Sequence, residues 1–177
     1  VSLRLAIADA DAMEEFGRAL GAELRAGDLV VLTGPLGAGK TTLTRGIGEG
    51  LGVRGPVQSP TFVLARTHPS LTGGAPLVHV DAYRLGTAAE LDDLDLDFDR
   101  SVVVAEWGAG LLDDVSESWL EIVIERRVGG ADAASEPDAS DGGAPEASAD
   151  LDLDADEPRT VTVTAHGPRW AGTRYSA

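Results

Sequence analysis

Gly34, Pro35, Leu36, Gly37, Ala38, Gly39, Lys40 and Thr41 follow the pattern G-x-x-x-x-G-K-[ST]. In such a loop successive backbone N–H groups point inward at phosphate oxygens, and the helix that follows adds its positive end. Lys40 would reach the β- and γ-phosphates of a nucleoside triphosphate, and the Thr41 hydroxyl would coordinate Mg²⁺. Thr42 adds a hydroxyl near the α-phosphate. A glycine-rich turn that merely caps a helix is the plain alternative. Against it, Lys40 is the single lysine in a chain that otherwise uses arginine. A compact ammonium therefore stands where a point charge suits a phosphate.

The base is more consistent with adenine than guanine. A guanine reader of the Asn-Lys-x-Asp kind is absent, because the chain has no asparagine and no second lysine. Two carboxylates end apolar runs: Asp81 after LVHV and Glu106 after VVVA. Open α/β sheets place their ligands at such strand ends. One carboxylate would anchor the Mg²⁺ shell and the other would orient an attacking water. Asp95, Asp97, Asp99 and Glu106 also match positions of a calcium-binding loop, but Arg100 takes the place of its required glycine.

Positioning these groups requires a sheet. Leu3, Leu5 and Ile7 alternate with other residues as a half-buried strand, and Met13, Phe16, Leu20 and Leu24 share a helix face after Asp9. Gly27 is placed as that helix's stop. LVVLT at 29–33 reads as a buried strand feeding the glycine loop, and a helix is predicted from about Gly39 to Leu51. Further strands are expected at 61–66, 77–80, 102–106, 120–126 and 160–165. Those at 29–33, 77–80 and 102–105 suit the centre of a sheet covered on both faces. LEIVIE and TVTVTA alternate more cleanly and suit an antiparallel pair. The expected fold is α/β: a P-loop NTPase-like central mixed β-sheet flanked by helices, with an antiparallel C-terminal strand pair.

Net charge narrows the partners. Ten carboxylates and no basic residue lie between 129 and 158, so the formal charge of −16 falls to −6 for the rest of the chain. Even that remainder disfavours direct binding to nucleic acid through a basic face. The segment 129–158 is read as a disordered acidic low-complexity loop, because it offers little to bury. Residues 1–128 and 159–177 are then one domain. No apolar run is long enough to span a membrane, the N-terminal stretch turns acidic too soon for a signal peptide, and the lack of cysteine fits the cytoplasm. His68, His79 and His166 form no ligand pattern.

GPLGAGKTTLTRG, then SPTF (59–62), HVDAYRL (79–85) and AEWG (105–108), in that order and spacing, resemble the TsaE family, also called YjeE. The resemblance spans about residues 5–127 and the strand at 160–167. It implies an ATPase that works with the proteins TsaB and TsaD, which install threonylcarbamoyl on N6 of an adenosine in tRNA. TsaE would touch the tRNA only indirectly, its ATP cycle resetting the TsaB–TsaD assembly. By this resemblance Thr41 and Glu106 hold Mg²⁺, and Asp81 is needed for hydrolysis. Thr61 belongs to a switch-like loop near the γ-phosphate, and Trp107, Tyr83 and Arg84 lie near the nucleotide or the partner. The acidic segment departs from the compact family pattern. Two rivals remain: a small P-loop kinase acting on a metabolite, and a module that holds ATP without hydrolysing it.

Overall fold

The computed structural model describes residues 2–60, 63–87, 89, 90, 93, 96–112, 115–126 and 157–176. The segment expected to be disordered lies outside them, apart from Glu157 and Pro158. Strand β1 covers Ser2–Ile7, and helix α1 covers Ala10–Glu23. Asp9 caps the helix, its Oδ1 accepting the Ala12 N–H at 2.8 Å. The helix stops four residues before the predicted Gly27. Asp28 builds a turn there, accepting the Arg25 N–H on its side chain at 2.9 Å and donating its own N–H to the Arg25 carbonyl at 3.0 Å. Leu24 is already extended, and Gly27, at φ 90°, serves that turn instead.

Strand β2 (Leu29–Thr33) leads through the glycine loop into α2 (Lys40–Leu51). Strand β3 is Ala65–His68 rather than 61–66. The Val63 N–H closes a turn on the Pro60 carbonyl at 3.0 Å, and pairing with the next strand begins only at Ala65 opposite Val80. Strands β4 (Leu77–Asp81), β5 (Val102–Glu106), β6 (Trp119–Arg126) and β7 (Arg159–His166) fall within a residue or so of their predicted places.

All seven strands form one mixed sheet in the order β1-β7-β6-β2-β5-β4-β3. Strands β6, β2, β5 and β4 run parallel, while β7 is antiparallel to β1 and β6, and β3 to β4. After β2 the chain skips one position to build β4 before returning with β5, so the C-terminal ends of β2, β5 and β4 meet at a topological switch point. The continuous apolar runs are explained by two cores. Val30, Leu32, Leu77, Val102 and Val104 pack against Met13, Leu20, Leu43 and Ile47 of the two helices. Leu29, Val31, Val78, Val80 and Val103 pack beneath Ala82, Leu85, Leu96, Phe98 and Leu112 on the other face. Each fully buried aliphatic side chain contributes about 1.5–3 kcal/mol.

The two helices touch backbone to backbone. A Cβ built on Gly17 would lie 2.5 Å from the Leu43 carbonyl oxygen, and one on Gly46 would lie 2.3 Å from that of Glu14. Gly21 and Gly50 make equally close approaches. α1 thereby clamps the helix that begins at Lys40. The C-terminal tail closes the far end of α1. Trp170 and Tyr175 are buried, and the Arg169 guanidinium donates to both carboxylate oxygens of buried Asp28 at 3.0 Å. Among the described residues no helix is long and apolar enough to cross a membrane.

Candidate functional site

The loop from Gly34 to Gly39 is shaped by what surrounds it. A side chain on Gly34 would strike the Ile124 carbonyl of β6 at 2.7 Å, so the loop leaves β2 pressed against its neighbour. Gly39 sits at φ 105°, a left-handed conformation that other residues adopt only under strain, and serves as the N-cap of α2 with no side-chain hydrogen bond. The first amides of α2 are thus left for an anion. Leu36 at the loop tip is exposed, and Ala38 is buried.

Lys40 is only 6% exposed. Its Nζ donates to the carbonyls of Gly34 at 2.8 Å and Pro35 at 3.1 Å, and lies 4.3 Å from the centroid of the Trp107 ring. Burial pushes the lysine pKa below its usual value, against the opposing pull of Glu106 and Asp81. Those two carboxylates are direct neighbours across the parallel β4/β5 ladder, so the sheet register brings both strand ends to the same ammonium. Asp81 is half-buried; its Oδ1 accepts the Tyr83 N–H at 3.2 Å, and Arg84 lies 3.5 Å from its Oδ2. Glu106 is buried, and its Oε1 is hydrogen-bonded to His79 Nε2 at 2.8 Å.

Trp107 follows Glu106 at φ 63°, the one non-glycine residue with positive φ among the described residues. Such a backbone costs about 1–2 kcal/mol and clusters at functional sites. Its N–H donates to the Leu32 carbonyl at 2.9 Å, tying the end of β5 to β2 and turning the indole over Lys40. Exposed Tyr83 meets that ring edge-on at 6.2 Å.

The structure therefore brings together Lys40, Asp81, Glu106 and Trp107, with Thr41 and Thr42, both partly buried, in the first turn of α2. Thr61 lies outside the described residues. Among those described, no cluster of three or more His, Asp or Glu side chains could hold a metal by itself. The one hydroxyl and two carboxylates at the start of α2 and the ends of β4 and β5 are hard oxygen donors of the kind Mg²⁺ takes, with water and phosphate oxygens completing its shell. Thr41, Glu106 and Asp81 are the residues that could hold it.

Three further residues frame the site that residue types alone did not single out. His79 lies beneath Glu106. Arg159, at the start of β7, donates from Nε to the Ala38 carbonyl at 3.3 Å. Arg126, at the end of β6, lies 3.8 Å from where a Gly37 Cβ would stand and pairs with Glu157 at 3.0 Å. The signal for both arginines is strand order: β6 adjoins β2, so its C-terminal end must arrive beside the glycine loop.

Comparison with known proteins agrees with this geometry. The family model described as "Threonylcarbamoyl adenosine biosynthesis protein TsaE" matches residues 7–132. A Streptomyces coelicolor protein named tRNA threonylcarbamoyladenosine biosynthesis protein TsaE is 54% identical over 162 residues, covering 90% of this chain and 94% of that one. A Mycobacterium tuberculosis protein of the same name is 52% identical over 119 residues, covering 62% and 71%. The crystal structure of YdiB from Bacillus subtilis superposes with a TM-score of 0.62 at 27% identity, covering 96% of this chain and 88% of that one. With the family model matching residues 7–132 and a relative 54% identical over most of both chains, the chain belongs to the TsaE family of threonylcarbamoyladenosine biosynthesis proteins.

Proposed function

We propose that this protein binds ATP with Mg²⁺ at Gly34–Thr42 and hydrolyses it, in support of the TsaB and TsaD proteins that modify tRNA with N6-threonylcarbamoyladenosine. The observation that carries the reading is the single lysine, buried at the loop and facing Glu106 and Asp81 at adjacent strand ends. A buried ammonium beside two carboxylates is a poor device for stability alone, since burial disfavours its charge. It suits a site where a triphosphate brings further negative charge.

In this reading the loop amides and Lys40 bind the phosphates, exchanging the lysine's bonds to Gly34 and Pro35 for phosphate oxygens. Thr41 and Glu106 hold Mg²⁺, which neutralises charge on the phosphate oxygens. Asp81 accepts a hydrogen bond from a water and aligns it with the γ-phosphorus. The water oxygen then bonds to phosphorus as the bond to the bridging oxygen breaks, releasing ADP and phosphate. Catalysis rests on positioning and charge, with no covalent intermediate. Trp107 covers the lysine side of the site, and Thr61 is assigned to the loop near the γ-phosphate by resemblance. The protein acts on tRNA only through its partners, and its domain comprises 1–128 and 159–177.

Mg²⁺-dependent ATP hydrolysis by the wild type and Glu106→Ala, with and without TsaB and TsaD, tests the proposal. Turnover that rises with the partners and collapses in the variant is expected. Turnover indifferent to both would refute the partner-coupled ATPase, and phosphoryl transfer to a small metabolite would replace it with a kinase.

A further inference from the structure

We propose that His79 is a positioning residue that sets the carboxylate of Glu106 for Mg²⁺, an inference that rests on the nucleotide–metal reading above. His79 and Asp81 lie on the same face of β4, two residues apart, and Asp81 is paired with Glu106 on β5. The imidazole is fully buried one layer below the carboxylates, and its Nε2 lies 2.8 Å from Glu106 Oε1. An ionised carboxylate can only accept, so the proton resides on Nε2, and Nε2–H donates. One oxygen of Glu106 is thereby fixed and the other is left for a cation. Ligating carboxylates are commonly held in this way, and loss of the supporting bond weakens metal affinity.

The other ring nitrogen argues that this bond, rather than packing, accounts for the histidine. Nδ1 is buried without a hydrogen-bond partner. An unpartnered buried polar atom is unfavourable, and an apolar side chain at that place would avoid it. The rest of the strand before Asp81 is apolar: Leu77, Val78 and Val80 are all buried hydrophobics. A histidine there adds nothing to the core that a phenylalanine would lack, whereas it alone among these side chains can donate to Glu106.

Three variants separate the roles. His79→Phe keeps a ring without a donor, His79→Gln keeps a donor, and His79→Met replaces Phe if that variant does not fold. Binding of fluorescent ADP is measured in EDTA and across a MgCl₂ titration, beside thermal unfolding. In the Phe variant, affinity in EDTA should stay within about twofold of wild type. The Mg²⁺ concentration for half-maximal effect should rise about tenfold, the lower end of the range for lost support of a ligand. Gln should recover most of that shift. A folded Phe or Met variant with the wild-type Mg²⁺ midpoint would overturn the inference and leave the ATPase reading intact. So would an equal loss in EDTA and Mg²⁺, which marks a packing defect. A wild type whose ADP binding ignores Mg²⁺ would overturn both.

Discussion

Gly46→Ala tests how closely α1 clamps the helix that carries Lys40 and Thr41. The new Cβ would sit 2.3 Å from the Glu14 carbonyl oxygen and 3.0 Å from the Glu14 Cα. Carbon–oxygen contacts settle near 3.3 Å or more, so the helices must part by about 1 Å. The opposing atoms are backbone and cannot rotate away. A gap of that size forfeits about a quarter to a half of the dispersion well at each contact along the seam. The seam includes Met13, Leu20, Leu43 and Ile47, all 2% exposed or less. Overpacking of this kind costs up to about 3 kcal/mol. The better helix propensity of alanine returns about 1 kcal/mol. The net loss is then about 2 kcal/mol, a fall in Tm of roughly 4–8 °C for a domain of this size. Urea unfolding followed by circular dichroism reads it as a lower midpoint at constant slope. ADP affinity should weaken alongside, because the displaced helix carries Lys40, the residue proposed to bind the phosphates. A variant as stable as wild type, or stabilised by the propensity term alone, would refute the contact.

Trp107→Gly should leave stability within about 1 kcal/mol of wild type, because the relieved left-handed backbone offsets the lost cation–π contact with Lys40. Its ADP affinity should fall, as calorimetry would show; unchanged affinity would remove the indole from the site. Because burial lowers the Lys40 pKa, ADP binding should weaken as pH rises through a value below the usual lysine range, with proton uptake on binding there. The sign for folding is opposite. The buried ammonium opposes folding below its lowered pKa, and that penalty fades as pH climbs to about 10.4, where the unfolded lysine titrates. Arg169→Ala should destabilise the fold by about 2 kcal/mol, less than a fully buried pair would lose because Arg169 is partly exposed. A melt identical to wild type would show that the tail is not anchored through Asp28.

The glycine loop was legible in the sequence because its pattern is local. Eight consecutive residues from Gly34 supply the turn, the amides, the ammonium and the hydroxyl, between an apolar run and a helical repeat. The buried strands were legible for a similar reason, since continuous runs such as LVVLT and VVVAE are tolerated only where both faces are covered. Boundaries were less legible where hydrogen bonds of the adjoining turn decide them. Asp28 ends α1 before Gly27 can, and the turn on Pro60 delays β3.

What the sequence by itself determined is therefore the glycine loop with its single lysine, the strand-end position of Asp81 and Glu106, and the order of motifs that marks the family. Only the tertiary structure decided which groups face one another. Strand order is set by crossover and packing between segments far apart in the chain, so no local pattern places Arg126 and Arg159 beside the loop or seats Trp170 and Tyr175 in the core. The same holds for His79. It opens the motif HVDAYRL but fits no ligand pattern, and the place proposed for it arises because parallel pairing of β4 with β5 sets its Nε2 beneath Glu106, 27 residues away.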